Sequence, residues 1–195
     1  MQRVIYFIRH GQTDWNAQDR LQGQADTPLN DFGRGQARRN GELLRGLIAK
    51  PDAFDFVSSP MSRTRETMEL VREAIGLPRA GYRTDPRLVE LHFGKWQGHT
   101  FPELEAADPG CFARRQEDKW NFVPPGDNAE SYAALAARIA PWLAEARGDT
   151  VCVTHGGVMR TVLRLACGVA EAECAMMMIP QDRVLRLTDG VAEWL

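Results

Sequence analysis

Two histidines lie where short apolar runs give way to glycine, and their side chains are the first candidates for chemistry. Residues 4–8 lead into Arg9-His10-Gly11, and residues 151–153 lead into Thr154-His155-Gly156-Gly157. A neutral imidazole can act as a nucleophile, and a glycine beside it lets backbone N–H groups approach a ligand. Arg9 follows five apolar residues, at a depth where an unpaired charge is costly. These junctions favour a site for an anion.

A third polar junction adds a second arginine. Residues 54–57 are predicted as a second short strand, Ser59 and Pro60 are suited to cap and begin a helix, and Arg63 falls in its first turn. Because the carboxyl ends of parallel strands meet at one edge of a sheet, the three junctions are expected to converge. A lone histidine is more often structural and a lone arginine is usually solvated. The convergence is what favours a shared oxyanion site.

Periodicity and turn residues predict strands that alternate with helices. This order indicates an α/β layered fold with a mainly parallel sheet, and 195 residues suit one domain, residues 1–195. The predicted strands are residues 4–8, 54–57, 151–153, 176–179 and 184–187. The predicted helices are residues 30–48 with Asn30 as N-cap, 59–75, 101–120 broken at Pro109-Gly110, a helix capped by Asp127 and Glu130 that runs to residue 146, and residues 158–167.

Composition narrows the class of protein. The net charge is only −2, so no global basic field favours nucleic acid or an anionic membrane, and any affinity for phosphate is local. The N-terminus lacks signal-peptide architecture and no apolar stretch reaches membrane-spanning length, so we expect a cytoplasmic protein.

Four cysteines without regular spacing are expected to be free thiols. The arginines would repel a cation, and neither histidine has a carboxylate or thiolate at ligand spacing, so no metal is expected.

Around these junctions the sequence resembles the histidine phosphatase superfamily, also called the phosphoglycerate mutase-like family. The matching blocks occur in family order over residues 3–160, and their order makes a chance match unlikely in a way that no single block does. The blocks are Arg9-His10-Gly11-Gln12-Thr13 with Trp15-Asn16, Leu21-Gln22-Gly23, Pro28-Leu29-Asn30, Ser58-Ser59-Pro60-Met61-Ser62-Arg63-Thr64, Glu90-Leu91 with Phe93-Gly94, and Val153-Thr154-His155-Gly156-Gly157.

The resemblance implies a fold and a set of roles. The fold would be a three-layer sandwich, and the reaction would need no metal and no cofactor. His10 would be the nucleophile that forms a phosphohistidine, and Glu90 would be the general acid and base. The phosphoryl group and the rest of the substrate would be held by Arg9, Asn16, Gln22, Gly23, Arg63, His155 and Gly156.

Three functions remain open at this stage. The leading one is a phosphatase that hydrolyses small-molecule phosphomonoesters, because the stretch His-Phe-Gly-Lys-Trp-Gln-Gly at residues 92–98 resembles the small phosphatases of the family. A phosphoglycerate mutase is the second, although the basic insertion of the mutases is not apparent. A non-catalytic protein that binds a phosphorylated ligand, or a scaffold, is the third. The oligomeric state is open, with a homodimer as one candidate.

Overall fold

Six strands form one mixed sheet in the computed structural model, which describes residues 3–195. The strands are β1 Val4–Arg9, β2 Asp55–Ser58, β3 Arg83–Thr84, β4 Thr150–Thr154, β5 Val184–Thr188 and β6 Val191–Trp194. In spatial order they run β3-β2-β4-β1-β5-β6. Neighbours from β3 to β1 are parallel, whereas β5 and β6 pair antiparallel at the other end. The predicted mainly parallel sheet is confirmed.

Helices cover both faces of this sheet. Alternate residues of β1 point to opposite sides, so Phe7 joins a core with Ile139 and Val158, while Ile8 joins a second core with Met68. The predicted three-layer arrangement is therefore confirmed. The helices are α1 Asp14–Ala17, α2 Asp31–Leu47, α3 Ser62–Ala74, α4 Phe101–Ala107, α5 Cys111–Glu117, α6 Tyr132–Glu145, α7 Gly156–Cys167 and α8 Glu171–Met176. Among residues 3–195 no helix is long and apolar enough to cross a bilayer.

The register of the sheet brings the three predicted junctions together. Arg9 of β1 is paired with Thr154 of β4, so His10 and His155 are the next residues on neighbouring strands. The His10 N–H donates to the Thr154 carbonyl at 2.9 Å, and the Ser59 N–H donates to the Val153 carbonyl at 3.0 Å. Backbone pairing at the centre of the sheet therefore fixes where these side chains start.

The predicted start of α3 is wrong. The helix begins at Ser62, with Met61 at the N-cap and no side-chain cap of its own. The carboxylate of Asp26, from another loop, accepts the Ser62 N–H at 2.8 Å instead. Ser59 is not available as a cap because its hydroxyl lies 2.8 Å from a ring nitrogen of His155.

The predicted cap of α6 is also wrong. The helix begins at Tyr132, and its N-cap is Ser131, whose hydroxyl accepts the Ala134 N–H at 3.1 Å. The predicted N-cap Asp127 lies four residues before Ser131, and Glu130 lies one residue before it, outside the helix, where its carboxylate pairs with Arg138 at 2.8 Å. Local spacing cannot separate a capping carboxylate from one used by a tertiary partner.

Residues 176–179, predicted as a strand, belong instead to the end of α8 and the irregular chain after it. Their carbonyl groups bind arginines and not a neighbouring strand. The Ile179 carbonyl accepts from Arg9 and the Met177 carbonyl accepts from Arg160, each at 2.7 Å. The other predicted strands and helices are present with shifts of one or two residues at most ends, and the four cysteines are free thiols as expected.

Candidate active site

A cleft of about 380 Å³ opens at the carboxyl ends of the central strands. Its wall brings together residues that are far apart in the sequence and that come from β1, α3, α7 and the loops between them. His155 is not part of the cleft wall, because it is fully buried behind His10. The predicted site residues that line the cleft are Arg9, His10, Asn16, Gln22, Gly23, Arg63, Glu90 and Gly156.

His10 is held in one tautomer. Its Nδ1 lies 2.8 Å from the Gly11 carbonyl oxygen, which can only accept a hydrogen bond, so Nδ1 carries the proton. Nε2 of the neutral ring therefore keeps its lone pair. Burial, followed by the charges of Arg63 and Arg9, lowers the pKa of His10 well below the usual 6.5. The ring is neutral and nucleophilic at physiological pH.

His155 stands directly against His10, with ring centroids 5.2 Å apart. Its Nε2 lies 2.8 Å from the Ser59 hydroxyl, and its buried Nδ1 has no partner within residues 3–195. Burial, with Arg63 as the next cause, lowers the pKa of His155 well below 6.5. A neutral ring with one fixed and one unused nitrogen can donate or accept a hydrogen bond at the back of the cleft.

Arg9 and Arg63 supply the positive charge. An Arg9 Nη atom donates to the Ile179 carbonyl, and Arg63 donates to the Ala25 and Gly23 carbonyls at 2.8 and 2.7 Å. In the described chain neither arginine forms an ion pair, and the Nε of each is buried without a partner. Burial lowers the pKa of each to about 10, so both stay charged at neutral pH. Buried donors in this state suit an oxyanion.

The Glu90 carboxylate is fixed by two backbone N–H groups. Leu91 donates to Oε1 at 2.9 Å, and Gly157, in the first turn of α7, donates to Oε2 at 3.0 Å. A Cβ on Gly157 would lie 2.3 Å from Oε1, so this carboxylate occupies the space that the glycine leaves. Glu90 thus reaches the cleft from a loop and is held by the helix that follows His155.

Three further predicted residues shape the wall. The Asn16 side-chain oxygen accepts from the Thr13 N–H and from Gln181, which leaves its NH₂ donors for a ligand. The Gly23 carbonyl binds Arg63, and its φ of +55° suits glycine. The Gln22 side-chain oxygen accepts from the Thr27 hydroxyl.

Comparison with known proteins decides the family, because the model of the histidine phosphatase superfamily (branch 1) matches residues 5–189. The chain belongs to this superfamily.

Its relatives include both phosphatases and mutases. The glucosyl-3-phosphoglycerate phosphatase of Mycolicibacterium vanbaalenii is 36% identical, over 92% of this chain and 76% of that protein. The 2,3-bisphosphoglycerate-dependent phosphoglycerate mutase 2 of Gloeobacter violaceus is 31% identical, over 82% and 74%. The solved structure of a mycobacterial glucosyl-3-phosphoglycerate phosphatase is 31% identical, with a TM-score of 0.81 over 96% of this chain and 91% of that one.

Several cleft residues of this histidine phosphatase were not assigned to the site from the sequence, among them Gln181 and Arg160. Gln181 donates to the His10 carbonyl at 3.0 Å, and it lies in irregular chain that offers no pattern to read. Arg160 lines the cleft from α7, four residues after the cleft residue Gly156, and this one-turn spacing on one helix face could have identified it. Within residues 3–195 no group of three His, Cys, Asp or Glu side chains could hold a metal ion.

Proposed function

We propose that the protein hydrolyses small-molecule phosphomonoesters through a phosphohistidine on Nε2 of His10. One observation carries the proposal. The hydrogen bond from Nδ1 to the Gly11 carbonyl leaves the Nε2 lone pair free, and the buried Nε atoms of Arg9 and Arg63, unpartnered within the described residues, belong to the same site. A neutral nucleophile and fixed cationic donors are the two parts that phosphoryl transfer needs.

In the first step Nε2 of His10 attacks phosphorus, and the bond from phosphorus to the leaving oxygen breaks. Arg9 and Arg63 hold the nonbridging oxygens from the cleft wall, with the Asn16 amide assisting, and His155 adds its Nδ1, unpaired in the described chain, from behind His10. An alkoxide leaves poorly at neutral pH, so protonated Glu90 donates its proton to the departing oxygen.

In the second step water attacks phosphorus and the bond to Nε2 breaks. The Glu90 carboxylate, now without its proton, accepts one from the water, while inorganic phosphate departs and His10 is restored. Each residue returns to its starting state, and no metal or cofactor takes part.

The relatives and the cleft together support a small phosphorylated substrate. A volume of about 380 Å³ fits a metabolite. Glucosyl-3-phosphoglycerate, named in the relatives, is the first substrate to try. We also propose one domain over residues 1–195, since both cores share β1. The homodimer and the cytoplasmic location stay predictions.

Trapping the intermediate tests the nucleophile. Brief mixing with a ³²P-labelled aryl phosphate, followed by an alkaline quench, should label the wild type and not His10→Ala. The half-exposed His99, which lies outside the cleft, provides the matched control, and His99→Ala should be labelled like the wild type. Label retained in His10→Ala would refute the proposed nucleophile, and a wild type that takes no label would favour the binding protein.

A phosphoglycerate mutase is the second candidate, favoured by the similarity to proteins of that name. The two reactions share the phosphohistidine and differ in its acceptor. We expect phosphate release from an aryl phosphate to exceed mutase turnover of 3-phosphoglycerate. The opposite ratio would make the protein a mutase.

A further inference from the structure

Glu90 lies in a stretch of chain that has no helix or strand to hold it. The backbone between the 3₁₀ turn Pro86–Leu88 and the 3₁₀ turn Gly94–Trp96 belongs to neither. Proton transfer requires a carboxylate placed to within a fraction of an ångström. Side chains from other segments must therefore hold the main chain at Glu90 in place, as backbone pairing does at the two histidines.

Arg138 of α6 uses all of its donors, some on this loop and the others on the carboxylate of Glu130. A guanidinium group carries five N–H donors, and Arg138 forms five hydrogen bonds. Three go to the carbonyls of Arg87 at 2.7 Å, Val89 at 2.9 Å and Glu90 at 3.3 Å. The other two go to the two carboxylate oxygens of Glu130, at 3.0 and 2.8 Å.

Glu130 extends the same network past Glu90. Its Oε2, which accepts from an Arg138 Nη atom, also accepts the His92 N–H at 3.1 Å. Gln24 also donates to the Glu90 carbonyl, at 3.0 Å. The main chain is thus fastened before, at and after Glu90.

We propose that Arg138 and Glu130 form a positioning pair that fixes Glu90 for proton transfer. The inference rests on the general-acid role given to Glu90 under the proposed function. Both side chains of the pair are 20% exposed, so solvent screens them less than a surface pair. Lysine cannot replace the arginine, because an ammonium has three donors and no planar fork to reach three carbonyls and a carboxylate together.

The pair differs from a merely structural ion pair in which substrates it affects. A general acid matters for a poor leaving group and little for a good one. A loosened Glu90 should therefore slow alkyl phosphates and spare activated aryl phosphates. A loss of global structure would slow both alike.

The experiment measures kcat/KM, which reports the first phosphoryl transfer, for an alkyl phosphate and a series of aryl phosphates of falling leaving-group pKa. Arg138→Lys should lose about 10-fold or more on the alkyl phosphate and less than about 3-fold on the most activated aryl phosphate, part of the 10²–10⁴ that general acids supply. Glu130→Gln should show the same pattern more weakly. Arg164→Lys, which alters a surface pair with Glu171, is the matched control and should match the wild type.

A double-mutant cycle with Glu90→Gln tests whether Arg138 acts through Glu90. In that background Arg138→Lys should cause almost no further loss. Equal losses on all substrates, or losses that multiply in the double variant, would overturn the positioning pair. If the loss in kcat/KM caused by Glu90→Gln is the same for every leaving group, the general-acid role fails and this inference fails with it. Should Arg138→Lys not fold, Glu130→Gln decides by the same criteria.

Discussion

Replacing Gly157 with alanine should disable the proposed acid while leaving the nucleophile in place. The added Cβ would lie 2.3 Å from Oε1 of Glu90 and 3.1 Å from its carboxyl carbon. Its third neighbour, Leu135 Cδ2 at 3.4 Å, is at ordinary van der Waals distance. The conflict is therefore with the end of one flexible side chain, which can move without unfolding the protein.

The size of the effect follows from how far Glu90 must move. Ordinary contact begins near 3.4 Å, so the carboxylate has to retreat by about 1 Å, and its 3.0 Å bond from the Gly157 N–H is strained or lost. A misplacement of about 1 Å can cost about 10²-fold in rate, and we expect that loss in kcat/KM for an alkyl phosphate. The free energy of unfolding should change little, because the higher helix propensity of alanine, up to about 1 kcal/mol relative to glycine, offsets the lost hydrogen bond.

The assay compares an alkyl phosphate with an activated aryl phosphate and adds urea unfolding. Gly46→Ala is the matched control, since nothing lies within 4 Å of a Cβ at that position of α2. It should keep wild-type activity. A folded Gly157→Ala enzyme with wild-type kcat/KM on the alkyl phosphate would refute the reasoning. An equal loss on both substrates would place the damage at the phosphoryl pocket and not at the acid.

Three further outcomes follow from single contacts. Ser59→Ala removes the hydroxyl 2.8 Å from His155, so kcat/KM should fall equally for aryl and alkyl phosphates, and urea unfolding should show a loss of about 1–2 kcal/mol. Burial lowers the pKa of His10 and of His155, so below pH 6.5 the unfolded chain binds more protons than the folded one. The unfolding free energy should therefore decrease as the pH is lowered below 6.5, by up to about 1.4 kcal/mol per pH unit for each histidine. Replacing both histidines with glutamine should flatten that slope. Gly41→Ala should cost about 1–3 kcal/mol in urea unfolding, because its Cβ would lie 2.6 Å from Ala74 Cβ between α2 and α3.

The sequence predicted well the residues placed by strand ends. His10 and His155 follow apolar runs, and the parallel pairing of β1 and β4 brings them together without any help from loops. Hydrophobic patterning records that kind of position, because a strand buried on both faces must be continuously apolar.

Positions fixed by long-range polar contacts were harder to predict. Ser59 and Glu130 both look like helix caps. Instead, the Ser59 hydroxyl contacts His155, and the Glu130 carboxylate accepts from Arg138. A capping pattern is a statement about neighbours three residues apart, whereas these partners lie 96 and 8 residues away. Glu90 itself was found only through the family resemblance.

The catalytic histidines and the residues that shape the rest of the cleft are held in place by different contacts. His10 and His155 rest on backbone pairing at the centre of the sheet, which a change in the surrounding loops leaves intact. A separate apolar cluster contains Trp96 and Leu104, and Phe93 connects this cluster both to the cleft and to the main core. Substitutions in this cluster can therefore alter which substrate fits without disturbing the tautomer of the nucleophile. The catalytic centre and the substrate range can change independently, since different contacts stabilise each.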